Sequence, residues 1–502
     1  MKKLQYFSAA EEKFGEMRNF LQSSASQRLE LSGLEEYLVK EGRELFRQLL
    51  AAHIAERGVG DLGASVVGAD GVARTYKRRR NRTITTLFGA IVIRRLGYSP
   101  RRGTSLFPLD AMLNLPTIKT SYTLQKHLVL EVIKSSFDEA LEAVVRWTGI
   151  TIPKAQAYDI IEDAARDFSA FYAEQYTQEH ADAQALPLLV LTSDGKGVLV
   201  RTEDLREATR QRALAQLPKP RGDVSKTKRL HARRMATVAS VYEIARFPRT
   251  PDDILGLFFS NDPPDTRLQR PRPTAKRLWA SLKQSSPEVI TALFEDAVHR
   301  DAHQQKEWVV LVDGDPNQIK IFERLARTFK VSLTIICDIV HVLGYLWKAG
   351  KVLQDKDHVA LWVRDRFARI LQGKSSGVAS GMRRSATCRH LSASDREPLD
   401  DCARYLLNHA PYLAYHEYLK QGYPIATGVI EGACRYLVKD RMEITGARWS
   451  LEGAEAVLQL RAIKLSGDFP RYWTFHEQQQ YRRNYATLYQ NPSVLSKDTR
   501  DS

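Results

Sequence analysis

Two short apolar runs, each closed by an Asp-Gly pair, constrain the fold most. Residues 188–191 (LLVL) lead through Thr192 and Ser193 to Asp194-Gly195, and residues 308–312 (WVVLV) lead directly to Asp313-Gly314. Apolar runs of this length that are continuous, not alternating, predict strands buried on both faces, central in a sheet covered by helices. The stretch 186–201, LPLLVLTSDGKGVLVR, reads as a strand, a tight Asp-Gly turn and a returning strand over 198–200. Turn chemistry explains Asp194 fully; a carboxylate held at the end of a core strand is the other reading. A third strand is expected over 331–337, ending at Asp338. Asp315, before Pro316, has a structural duty as the N-cap of a helix over 316–329, and Asp338 can cap the helix that contains His341. Asp313 has no comparable duty.

The chain has 502 residues, enough for about three domains at roughly 150 residues each. Its 75 Lys plus Arg against 59 Asp plus Glu leave a net charge of +16, which favours a polyanionic partner. The opening MKKLQYFSAA lacks the apolar centre of a signal peptide. No run approaches the roughly 20 apolar residues of a membrane span, so a cytoplasmic protein with no membrane partner is expected. Cys337, Cys388, Cys402 and Cys434 form no C-x-x-C pair, which argues against a disulfide framework or a zinc ribbon and for reduced thiols.

Residues 1–65 have helical spacing. Residues 66–180 read as a DNA-binding region. A β-hairpin turning near Gly89 carries a basic rim, with Arg78, Arg79, Arg80 and Arg82 on one strand and Arg94, Arg95, Arg101 and Arg102 after the turn. Clustered guanidinium groups on an extended ribbon suit phosphate contact. A helix ended by Gly149, then Thr151 as cap and Pro153 in the first turn of the next helix, gives a helix-turn-helix outline in which Lys154, Gln156 and Tyr158 can face DNA. An ordinary helical hairpin has the same outline.

A first core segment is expected over 181–351. It holds a basic loop over 219–234 with Lys226 and Lys228, a strand from Met235, and a helix over 274–304. Residues 352–424 read as a helical insertion in which GKSSGVASGMRRS lacks P-loop spacing and is expected to be a surface loop. Residues 425–485 return to the core and 486–502 form a tail. In 425–449, Ile430, Cys434, Leu437 and Val438 mark a buried helical face, with Glu431 and Arg435 as an i, i+4 pair on a neighbouring one. Gly428 and Gly432 bracket Glu431 and leave room for a close approach.

Asp194, Asp313 and Glu431 therefore stand out. Two-metal phosphoryl chemistry needs hard oxygen ligands that hold two Mg²⁺ ions about 3.5–4 Å apart. Mn²⁺ can substitute for Mg²⁺ in that role.

The segments DGKGV (194–198), RRMATVASVYEIARFPRTPDDI (233–254), DGDPNQ (313–318), DIVHVLGYLWKA (338–349) and IATGVIEGACRYLVKDRMEITGARWSLEGAEAVLQLRAI (425–463) resemble the ISKra-type insertion-sequence transposases and, more distantly, the Mutator-type DDE transposases. The likeness runs from about residue 75 to 485. It implies an α/β fold: an RNase H-like mixed sheet flanked by helices, with a helical insertion before the final Glu and an N-terminal, mostly helical DNA-binding region. It carries the catalytic and metal-binding roles onto Asp194, Asp313 and Glu431, with Asp338 and His341 as auxiliary residues. The implied activity is Mg²⁺-dependent cleavage at the terminal inverted repeats of the chain's own element and strand transfer to target DNA, by a homo-oligomer in the bacterial cytoplasm, associated with the nucleoid. Lys226, Lys228, Arg435, Arg441 and Arg448 are candidate phosphate contacts. Trp449 is a candidate stacking platform for an unpaired base, or a core tryptophan. Relatives often place paired cysteines after the aromatic that here is Tyr98; this chain reads GYSPRRGTSLFPLD instead. An RNase H-like nuclease or resolvase would use the same carboxylates without strand joining, and a non-catalytic DNA-binding descendant would need only the basic regions.

Overall fold

The computed structural model describes residues 4–176, 186–215, 233–259, 269–444 and 446–491. The chain divides into two compact units, one of residues 1–171 with 469–502 and one of residues 172–468.

In the first unit, helices Leu4–Leu21 and Leu31–Glu56 precede two short paired strands, β1 (Val66–Val67) and β2 (Ala73–Arg74). The expected hairpin follows as β3 (Tyr76–Thr86) and β4 (Gly89–Ser99), paired in register from Tyr76↔Ser99 to Thr86↔Gly89. Ile84, Ile91 and Ile93 alternate onto one face and pack with Leu109, Leu115 and the Leu50–Ile54 end of the second helix. Helix Phe137–Thr148 begins with a Ser136/Glu139 capping box and ends at Gly149, whose φ of 70° suits a left-handed cap. The next helix, Lys154–Ala165, starts after Pro153, and Thr151 does not cap it.

In the second unit the sheet order is β7-β6-β5-β8-β9, from β5 (Leu188–Leu199), β6 (Arg233–Ile244), β7 (Thr274–Ser281), β8 (Glu307–Val312) and β9 (Leu333–Cys337). β5, β8 and β9 are mutually parallel, while β6 and β7 run antiparallel to their neighbours. This is a mixed sheet, against which helices Ser286–Arg300 and Leu451–Leu465 pack. Every residue from Leu188 to Ser193 is buried, as is every residue from Trp308 to Val312, as continuous apolar runs demand.

Three local expectations are corrected. Asp194-Gly195 makes no turn: β5 is one strand of 12 residues, and Asp194 pairs with Val238 inside its ladder with β6. The long partner strand supplies backbone hydrogen bonds that a two-residue turn would forgo. Residues 274–281 are a strand, β7, not the start of a helix; TAKRLWAS buries Arg277 to Ser281 against β6. The Gly/Ser-rich segment is not a loop but lies in helix Ser375–Cys388, where Val378, Ala379, Met382 and Ala386 form the buried stripe that overrides its weak helix propensity.

Candidate active site

The parallel strands bring three aspartates to one edge. β5 pairs with β8 as far as Thr192↔Leu311, and β8 pairs with β9 as far as Val312↔Cys337. Carried past the last pairs, the same offsets align Asp194 with Asp313 and Asp313 with Asp338. Asp313 and Asp338 thus follow the C-terminal ends of β8 and β9, whereas Asp194 lies within β5, just past the last residue that β5 pairs with β8.

Asp313 and Asp338 differ in what their carboxylates already hold. Asp338 is fully buried. Its Oδ1 accepts from the amides of Val340 (3.1 Å) and Thr427 (3.2 Å), and its Oδ2 accepts from the Thr427 hydroxyl (2.9 Å) and faces His341 Nδ1 (2.9 Å). Those four contacts fill the four acceptor positions of a carboxylate. Asp313 is half-buried, and its one hydrogen bond from the described residues comes from the Asp315 amide to Oδ1 at 3.0 Å. Its Oδ2 is uncommitted. Asp194 is also half-buried; its Oδ1 accepts from the Gly195 amide at 2.6 Å and its Oδ2 from Cys434 Sγ at 3.4 Å.

Glu431 arrives from helix Gly428–Ala433, which continues as a π-helical stretch, Cys434–Lys439. Such wide turns recur at functional sites. Here the π turn removes the expected i, i+4 pair: Arg435 is exposed and its nearest carboxylate is Asp440, at 3.8 Å. Ile430, Cys434, Leu437 and Val438 are buried as the sequence pattern predicts. A Cβ on Gly428 would meet nothing within 4 Å, so its bare backbone is open space beside the exposed Glu431.

Asp338, His341 and Glu431 offer ligand atoms that all lie within 4.8 Å of one another, whereas Asp194, Asp313 and Glu431 do not close into such a group among the described residues. The expected triad therefore shares an edge without being drawn together to ligand distance. The four carboxylates still share one electrostatic neighbourhood. His341 is raised above the ordinary imidazole value, chiefly by its hydrogen bond to Asp338 and further by the charges of Asp338, Asp313 and Glu431, against the opposing effect of burial. Cys434 is pushed up by burial and by the charge of Asp194, with Glu431 adding to it. Burial likewise lifts Cys337, beneath Asp313 and Asp338, to about 12.

Several residues without a local sequence signal fix this edge. Thr427 stands at the N-cap of the Glu431 helix but makes no capping bond, because its hydroxyl serves Asp338 and reaches Glu431 Oε1 at 3.4 Å. A Thr just before a helix start is a legible cap signal, but its use on a distant carboxylate is not. Tyr405 donates its hydroxyl to the Asp313 carbonyl (2.9 Å), and His409 Nε2 lies 2.8 Å from the Gly314 carbonyl. Residues from the helical insertion thereby hold the turn that carries Asp313.

The proposed DNA contacts separate by exposure. Arg78, Arg79, Arg80 and Arg448 are exposed, as is Arg435. Arg82 is not a surface charge: with Arg95 it pairs with buried Asp110, and it also bonds the Pro116 carbonyl. Arg441 is 1% exposed and lies over the ring of Trp449, itself buried with Nε1 donating to the Met442 carbonyl at 3.1 Å. Both belong to the core, so neither a phosphate contact at Arg441 nor base stacking on Trp449 fits the geometry. Lys226 and Lys228 lie outside the described residues. In the helix-turn-helix outline, Lys154 is paired with Asp138 (2.7 Å), Gln156 donates to Thr120, and Tyr158 packs on Phe137. Among the described residues no helix is long and apolar enough to cross a membrane. No protein-family model matches the chain, and no curated protein matches it.

Proposed function

We propose that this chain is a DDE transposase with an RNase H-like catalytic core, which cuts the ends of its own insertion sequence and joins them to target DNA. The observation that carries the reading is the alignment of Asp194, where β5 leaves its pairing with β8, with Asp313 and Asp338, which follow β8 and β9, and with Glu431 on a late helix beside Asp338.

The donor chemistry suits Mg²⁺. Asp194, Asp313 and Glu431 keep carboxylate oxygens exposed or half-exposed, and hard oxygen ligands are what Mg²⁺ takes. Asp338 does not fit a ligand role, because all its acceptor positions are filled. It is a positioning residue that orients His341 and ties the Glu431 helix to the end of β9. When bound, Mg²⁺ would supply charge neutralisation at the scissile phosphate and a more acidic bound water or 3′-hydroxyl. His341 holds one ring nitrogen on Asp338, and the rest of its ring is nearly half exposed, where it can donate to a phosphate oxygen. No Ser or Tyr nucleophile stands in a comparable arrangement among the described residues, so hydrolysis and transesterification proceed without a covalent enzyme–DNA intermediate. The exposed arginines of β3 supply phosphate contacts outside the catalytic unit.

The test is cleavage and strand transfer on labelled DNA carrying the flanking repeats, in Mg²⁺ or Mn²⁺. Asp194→Asn, Asp313→Asn and Glu431→Gln should each stop cutting while retaining DNA binding. Cutting without joining by the wild type would identify a nuclease or resolvase instead. Tight binding of the repeats with no cutting would identify a DNA-binding protein.

A further inference from the structure

Residues 71–109 carry ten Lys plus Arg and no Asp or Glu. Four of the ten are committed to acids from outside that stretch: Arg74 to Asp70, Lys77 to Asp61, and Arg82 and Arg95 to buried Asp110. The other six, Arg78, Arg79, Arg80, Arg94, Arg101 and Arg102, are exposed and have no carboxylate partner among the described residues. Unpaired like charge gathered on one small element works against the compact state, and a polyanion relieves it.

The β3–β4 hairpin has two unlike faces, because residues directly opposite in an antiparallel pair share a face. Ile84 with Ile91, and Arg82 with Ile93, lie on the face closed by Leu109, Leu115 and the second helix. Asn81 with Arg94, and Thr83 with Val92, lie on the other. All four of these are exposed, Val92 by 57%. Any sheet face turned to water holds polar residues. This one sets a guanidinium directly across from a carboxamide, beside a bare valine and with no acid on either strand. Neither Asn81 nor Arg94 spends a side-chain hydrogen bond on another described residue.

We infer that this face enters the major groove of duplex DNA, where Asn81 and Arg94 read base edges. Arg78 and Arg80, on the opposite face, and Arg101 and Arg102, in the loop after β4, hold the flanking phosphates. The major groove of B-DNA is about 12 Å wide and admits a two-stranded ribbon. Its hydrogen-bonding code matches the side chains: a guanidinium pairs with guanine O6 and N7, a carboxamide with adenine N6 and N7, and an apolar group such as Val92 meets the thymine methyl. As direct cross-strand partners, Asn81 and Arg94 have Cβ atoms about 4.5–5.5 Å apart. That separation serves neighbouring base pairs, which repeat every ~3.4 Å. The major groove of A-form RNA is too deep and narrow for side chains to read, so the partner is DNA. The inference rests on the proposed function for that partner alone and uses no residue of the catalytic unit.

The test is binding of the full chain to a duplex carrying the flanking repeats and to a shuffled duplex of the same composition. The wild type should prefer the repeats. Asn81→Ala and Arg94→Ala should each cut that preference roughly 5- to 100-fold, the effect of losing one bidentate base contact, with unchanged circular dichroism. Arg78→Ala should weaken binding to both duplexes alike. Methylating guanine N7, in the major groove, should block binding to the repeats, whereas distamycin in the minor groove should not compete. A wild type without preference, preference intact in both reader variants, indifference to N7 methylation, or displacement by distamycin would overturn the inference. Cleavage on the same duplexes separates this outcome from failure of the proposed function. A chain that reads the repeats through Asn81 and Arg94 but never cuts keeps the ribbon and loses the transposase; one that cuts and joins with both variants still selective does the reverse.

Discussion

Asp338 takes two hydrogen bonds from Thr427, one from its amide to Oδ1 at 3.2 Å and one from its hydroxyl to Oδ2 at 2.9 Å. Residues 89 positions apart in sequence are thus locked at the end of β9, and the Glu431 helix starts from that lock. Thr427→Val removes the hydroxyl and leaves part of a buried carboxylate unsatisfied, which costs about 1–3 kcal/mol. Urea unfolding should show that loss, and Thr427→Ser should recover most of it. A Thr427→Val protein as stable as the wild type would remove Asp338 from its positioning role.

The contrast between a saturated Asp338 and an open Asp313 predicts different failures. Asp313→Asn should keep its unfolding midpoint and lose Mn²⁺ affinity, read by titration calorimetry. Asp338→Asn should lower the unfolding midpoint, because the amide nitrogen of Asn cannot accept from Thr427 or Val340. If Asp338→Asn instead left stability intact and abolished metal binding, the ligand assignment would pass from Asp313 to Asp338.

Exposure also separates the arginines. Replacing Arg78, Arg79 and Arg80 together by Ala should weaken DNA binding and flatten the dependence of log affinity on log salt, by about 0.9 for each phosphate that is no longer neutralised, with little change in stability. Arg441→Ala removes a buried guanidinium from over Trp449 and should destabilise the fold. Equal effects of the two changes on DNA binding at matched stability would contradict this separation.

Asp167 gives the first unit an acid limit. It accepts from Arg483 at 2.5 and 2.8 Å and faces His476 Nδ1 at 2.8 Å. Burial alone would raise its pKa, but these contacts outweigh burial and hold it down to about 2. A carboxyl depressed in the fold contributes stability above its unfolded value, near 3.9, and that contribution is lost as pH falls towards about 2. The contribution is about 2 kcal/mol at neutral pH. Asp167→Asn should therefore be less stable than the wild type at pH 7, and the gap should close between roughly pH 4 and 2. A gap that stayed constant across that range would show that packing, not charge, is responsible.

Burial pattern made much of the second unit legible. The runs at 188–191 and 308–312 became central strands, and helix Pro316–Phe329 and its Asp315 cap appear where the spacing put them. What stayed hidden was tertiary. Asp194-Gly195 is a sound turn signal locally, but β6 offers a ladder that extends through it. TAKRLWAS carries no clear period, and its place in β7 depends on pairing with β6 and on Glu455, which accepts from Ser281 Oγ and the Leu282 amide. In the site, the apolar strand ends made Asp313 visible, whereas Thr427, Tyr405 and His409 act through partners about 90 residues away in sequence. No local pattern encodes such pairs. Trp449 and Arg441 show the converse: a charge and an aromatic in the segment that carries Glu431 look like DNA contacts until their burial is known.

Gly314 joins backbone strain to the position of Asp313. Its φ is 101°, and a Cβ placed there would lie 2.8 Å from the Tyr405 ring and hydroxyl. Gly314→Ala therefore faces two penalties, an unfavourable dihedral of about 1–3 kcal/mol and a collision with the side chain that holds the Asp313 carbonyl. Relief of either requires the turn to move, and Asp313 moves with it. Under the proposed function, cleavage should fall while DNA binding, assigned there to the exposed arginines of β3, stays near the wild-type level. Tyr405→Ala in the same chain removes the collision but not the dihedral, so a double-mutant cycle should show coupling between the two sites. Strict additivity would mean that Tyr405 does not restrain the turn, and the insertion would lose its part in placing Asp313.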